Sequence, residues 1–106
     1  MGLAFLFCAL LALQAPSSPV ESSKKEAQKK AVEAGRLIGR GEWKQARALA
    51  KEAVAADPSS AHAHYVLGLA YEAGGELEAA EAEYKKMGLL APEPVLEVSL
   101  ARLYLR

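Results

Sequence analysis

His64-Tyr65-Val66-Leu67-Gly68-Leu69-Ala70-Tyr71, followed at fixed spacing by Ala80, Tyr84 and Pro92, is the stretch of this 106-residue chain that decides its fold. Moved back by thirty-four residues, the same frame falls on Ala34, Leu37, Gly41, Ala46, Ala50 and Pro58. Between residues 27–60 and 61–93 eight pairs are identical at that offset: Ala27/Ala61, Val32/Val66, Gly41/Gly75, Glu42/Glu76, Ala46/Ala80, Ala48/Ala82, Lys51/Lys85 and Pro58/Pro92. Small residues such as Ala34, Gly68, Ala46 and Ala80 suit places where two helix backbones come too close for a large side chain. Leu37, Leu67, Tyr71 and Tyr84 fill gaps between neighbouring helices that a lone pair could not bury, so units must stack. Pro58 and Pro92 stop one helix and open the next unit. The expectation is a helical repeat.

The pattern His64-x-x-Leu67-Gly68-x-x-Tyr71, Ala80-x-x-x-Tyr84, Pro92 resembles the tetratricopeptide repeat. The resemblance covers residues 27–106 and implies an all-α antiparallel helix-hairpin solenoid. It has two units, 27–60 and 61–93, and a C-terminal capping half-unit, 94–106. Ser23-x-x-Glu26 offers a capping box for a first helix running to about Arg40, where Gly39-Arg40-Gly41 breaks it. A second helix is expected from Trp43 to Ala56, and a third capped by Ser59 or Ser60 and ended by Gly74-Gly75. A fourth follows from Leu77 to Leu90, and a fifth from Pro94 to Leu105. In the fifth, Leu100, Ala101 and Tyr104 repeat the spacing of Leu67, Gly68 and Tyr71. The first unit is the weaker match. Glu33 stands where the second unit has Leu67, and Ala50 where it has Tyr84, so its first helix is expected to pack more loosely.

Outside the repeats, Leu3 to Leu13 is an unbroken apolar run, shorter than the roughly twenty helical residues a bilayer needs. With the small residues that follow, it reads as a signal peptide over 1–17, cleaved near Ala15 to Ser17. The protein is then exported, periplasmic or secreted, and has no integral membrane span once the leader is gone. No base precedes the run, which leaves an uncleaved N-terminal anchor as the alternative. Residues 18–26 are linker and helix start, and Pro16 to Ser22 reads as a mobile Pro/Ser segment. Cys8 is the single cysteine and lies inside the leader, so no internal disulfide forms. Phe7 before it, where acylation wants a small residue, speaks against a lipid anchor.

Thirteen basic and thirteen acidic residues cancel, which removes any global attraction to nucleic acid. The halves differ: Glu21 to Asp57 carries nine bases and six acids, and Pro58 onward four bases and seven acids. No nucleophile stands with a base, and no catalytic, cofactor or metal site is expected. His62 and His64 are two residues apart on a helix and point to different faces, with His64 in the repeat's bulky slot as a packed residue. Glu72, Glu76, Glu78, Glu81 and Glu83 read as the wet face of the third and fourth helices.

In proteins similar to this one, the first helix of each pair lines a concave groove that receives a peptide or helix. The resemblance thus implies a groove of Gln28, Ala31, Gly35 and Ile38, then His62, Tyr65, Leu69 and Glu72, then Val95, Val98, Arg102 and Leu105. Ile38, His62, Tyr65, Leu69, Val98, Arg102 and Leu105 are its candidate protein-binding residues. Ala31 and Tyr65 replace the lysines, and Gly35 and Leu69 the asparagines, with which some relatives clamp a terminal carboxylate. A hydrophobic helix or extended segment suits this groove better, with Tyr65 as anchor. The reading is a non-catalytic interaction module, an exported scaffold or assembly factor whose partner is another protein or peptide. The alternative is a self-associating homodimer, joined through the apolar last helix.

Overall fold

The computed structural model describes residues 19–90 and 94–105; of Pro94–Val98 it describes the helix without the side chains. The leader, Cys8, Pro92 and the side chain of Val98 therefore lie outside the described residues. Helix α1 spans Pro19–Gly39, α2 Trp43–Ala56, α3 Ala61–Ala73, α4 Leu77–Leu90 and α5 Pro94–Tyr104. Each helix packs on the next, α4 and α5 included, and α1 also touches α3. The architecture is all-α, a stack of antiparallel hairpins. Among the described residues, no helix is long and apolar enough to cross a membrane.

One boundary differs from the sequence reading. Helix α1 begins at Pro19, so Pro19 to Ser22 are helix and not mobile linker, Ser23 and Glu26 sit inside it and the capping box is not used. Proline suits a first helical turn, where its missing amide costs no intrahelical bond. The other boundaries fall within a residue of the expectation, with α1 ending at Gly39 and α5 at Tyr104. The Ser60 hydroxyl caps α3 by accepting from the Ala63 amide at 3.1 Å. Asp57 organises the connector before it, its Oδ1 accepting from the amide and hydroxyl of Ser59 at 3.2 and 2.6 Å.

The two hairpins turn in the same way. At the end of α1 the Glu42 amide donates to the Leu37 carbonyl at 2.9 Å and the Gly41 amide to that of Ile38 at 3.0 Å. At the end of α3 the Glu76 amide donates to Tyr71 at 2.9 Å and the Gly75 amide to Glu72 at 3.0 Å. This double closure requires a left-handed residue, and Gly41 and Gly75 supply it with φ of 80° and 78°. The repeated Gly-Glu dipeptide is thus a repeated turn.

Packing divides into two clusters. The first joins α1, α2 and α3 through Ala31, Ala34, Leu37, Ala46, Ala50, Ala53, Ala63, Val66, Leu67 and Ala70. The second is built on Ala80, Tyr84 and Leu103, with Tyr65, Leu69, Leu77 and Leu100 against it. Tyr71 packs on both. The looser first helix does not materialise: Ala31, Ala34, Ala46, Ala50 and Ala53 are all fully buried. Alanine faces let backbones close up, so the first unit is tight but offers little apolar area per residue. The second unit solves the same slot with unequal partners. A Cβ on Gly68 would enter the ring of Tyr84, the largest fully buried side chain. Gly68 thus makes room for an aromatic ring rather than for a second backbone.

Candidate protein-binding face

The expected groove residues separate on folding. Tyr65 and Leu69, one turn apart on α3, are half-buried on the floor made by Tyr84 and Leu103. The Tyr65 and Tyr84 rings lie 6.1 Å apart, inclined by 40°. His62 is exposed one turn before Tyr65. Ile38 packs instead against the first cluster. Ala31, expected in the groove, is wholly buried and belongs to the core. Leu105 lies just past α5 and is 86% exposed. The structure thus gathers Tyr65, Leu69 and Arg102 around Tyr84, and leaves Ile38 and Leu105 apart.

Arg102 is engaged internally. Its Nε and Nη2 donate to the two oxygens of Glu72 at 2.9 and 3.0 Å, a bidentate pair from α5 to α3. Glu72 Oε1 also accepts from the Tyr84 hydroxyl at 2.9 Å, so α3, α4 and α5 meet at one carboxylate. Burial, then the adjacent Glu72 carboxylate, pushes the Tyr84 phenol well above the usual tyrosine range. The hydrogen bond to Glu72 likewise raises the Arg102 guanidinium.

Two of the five clustered acids depart from the wet-face expectation. Glu72 and Glu83 are buried, at 6% and 8% exposure. Alternation with alanine could not reveal this, because what permits burial is a partner distant in sequence. For Glu72 these are Tyr84 and Arg102; for Glu83 it is His64, with Nδ1 to Oε2 at 2.6 Å, joined by Lys86 one turn along the same helix at 3.3 Å. The other ring nitrogen of His64 faces the Pro58 carbonyl at 2.8 Å, so this histidine is the packed residue that its slot implied. Glu81 does lie on the outer side, where the hydrogen bond from Lys85, then that from Tyr104, lowers its carboxyl below the ordinary range. Among the described residues, no group of three or more His, Cys, Asp or Glu side chains is placed to hold a metal.

On the opposite end of the stack, α1 presents a shallow cleft lined by Lys25, Gln28, Lys29, Val32, Glu33 and Arg36. One unit later, three of these positions hold Ala63, Leu67 and Ala70, which are buried against the first hairpin. The first unit thus places charge where the second is apolar.

A family model for the tetratricopeptide repeat matches residues 32–91, more than half of the chain. The chain belongs to the tetratricopeptide repeat family. No curated protein and no solved structure shows a significant match. Domains of this family generally mediate protein–protein interaction and are generally not catalytic.

Proposed function

We propose that this protein is a non-catalytic scaffold or assembly factor, exported beyond the cytoplasm, that holds a hydrophobic helix or extended segment of another protein against α3. The observation that carries the reading is the half-exposed pair Tyr65 and Leu69, set on a rigid floor of Tyr84 and Leu103 and bordered by exposed His62. Aromatic and aliphatic anchors on a fixed base lose little conformational freedom when a partner covers them. Export rests on the apolar run Leu3 to Leu13 and the small residues after it.

The test is a crosslinked pulldown from the native host, with the intact mass of the mature chain measured on the same sample. Tyr65→Ala and Leu69→Ala are expected to abolish capture of a specific partner while the helical circular dichroism persists. Unchanged capture would discard the groove, and a mass that retains Met1 to Ser17 would discard cleavage at the leader.

A second reading is favoured by Tyr104 and Leu105, 61% and 86% exposed at the end of α5. A second copy covering this apolar end would make a dimer. Light scattering after size exclusion decides it: a doubled mass that Leu105→Glu halves supports the dimer, and a monomer at all concentrations rejects it.

A further inference from the structure

We propose that the α3–α4 hairpin is latched by a proton held between His64 and Glu83, which makes the second unit a pH-sensitive element of the fold. His64 is 5% exposed and Glu83 8%. Each ring nitrogen of His64 meets an oxygen: Nδ1 faces Glu83 Oε2 at 2.6 Å and Nε2 faces the Pro58 carbonyl at 2.8 Å. A backbone carbonyl only accepts, so Nε2 must carry a hydrogen. In neutral imidazole that leaves Nδ1 as an acceptor. An ionised carboxylate is also only an acceptor, and two acceptors do not face each other at this distance without a proton between them. The site therefore needs two protons, one on Nε2 and one in the Nδ1···Oε2 bond, whether the second resides on the ring or on the acid.

The neighbouring charges are cations, which oppose the extra proton, so its retention rests on the hydrogen-bond geometry. From α4, Lys86 Nζ approaches the other Glu83 oxygen at 3.3 Å. In the connector, Asp57 is occupied by Ser59, and from α1 Lys24 borders the cleft that holds Pro58. On α3, His62 is exposed. Arg102 from α5 is committed to Glu72, and the α2 residues buried in the neighbouring cluster are alanines. Every buried side-chain polar atom among the described residues has a partner, so the latch is part of a satisfied interior and its loss would leave opposed acceptors there.

The sign follows from proton counting. Above the range where a free imidazole titrates, about pH 6.5, the unfolded chain holds one proton on this pair of side chains and the latched fold holds two. Stability then falls as pH rises over the range in which the latch holds its extra proton. The hairpin so loosened is the one that carries Tyr65 and Leu69.

The experiment uses the full chain and the variant Glu83→Gln. Glutamine donates its amide hydrogen to a neutral Nδ1 and still accepts from Lys86, so it keeps the latch without the extra proton. The wild type is expected to lose about 5–11 °C of thermal midpoint per pH unit where a whole proton is taken up on folding. Glu83→Gln is expected to be flatter over the same range, and a parallel loss in both proteins would overturn the proposal. Nitrogen and carboxyl-carbon NMR of the wild type provides a readout that needs no variant. Either both ring nitrogens protonated, or Nδ1 bare beside a protonated Glu83, supports the latch; Nδ1 bare beside an ionised Glu83 rejects it.

Discussion

At Gly68, a single methyl group separates two opposed effects. Alanine is favoured over glycine in a helix by about 1 kcal/mol, but here the methyl would enter the fully buried Tyr84 ring, which cannot swing aside. Gly68→Ala is expected to destabilise by about 1–3 kcal/mol in denaturant unfolding, because overpacking outweighs propensity. Gly74 offers a contrast. Its added Cβ would lie 2.6 Å from the ring of Trp43, which is only half-buried and can shift, so Gly74→Ala should cost less. Tyr84 also gives a pH signature. Its folded-state titration is raised, so its contribution is complete below the ordinary tyrosine range near pH 10 and is lost as pH climbs beyond it. In an alkaline absorbance titration of folded protein, Tyr84→Phe should remove the tyrosine that resists ionisation longest.

Each hairpin, as an element, depends on one left-handed glycine and one pair of crossing amides. Gly75→Ala places a Cβ in that conformation and should cost about 1–2 kcal/mol, although nothing lies near the new atom. The cost is conformational, so Gly75→Asn should recover part of it, as read by thermal midpoints of the three proteins. The helices differ in how they earn their place. Helix α2 is held by wholly buried alanines and by Arg47, which donates to Glu76 at 2.7 Å across to the next hairpin. Helix α5 leans on Leu103, Leu100 and the bidentate Arg102–Glu72 pair.

Across the described residues, the apolar interior is two clusters bridged by Tyr71, and the Glu72 carboxylate ties the last helix to the rest. Arg102→Ala leaves that buried carboxylate with fewer donors, at a cost of about 1–3 kcal/mol. Hydrogen exchange should show the loss concentrated in α5, while α1 and α2 keep their protection, since cooperative units in a stack are local. A uniform increase in exchange would mean that the stack opens as one body.

Hairpin order, the helix ends other than the start of α1, and the Gly-Glu turns were legible in the chain because they depend on residues close in sequence: Pro58, Gly41, Gly75 and the Ser60 cap act within a few positions. Spacing at thirty-four residues also marked Gly68 and Tyr84 as slots of one unit. What they do for each other, and which acids go inside, depended on partners far along the chain. Arg102 stands thirty residues from Glu72, and His64 nineteen from Glu83. Burying a charge is decided by whether a donor arrives to meet it, and only the packed helices bring those donors into reach.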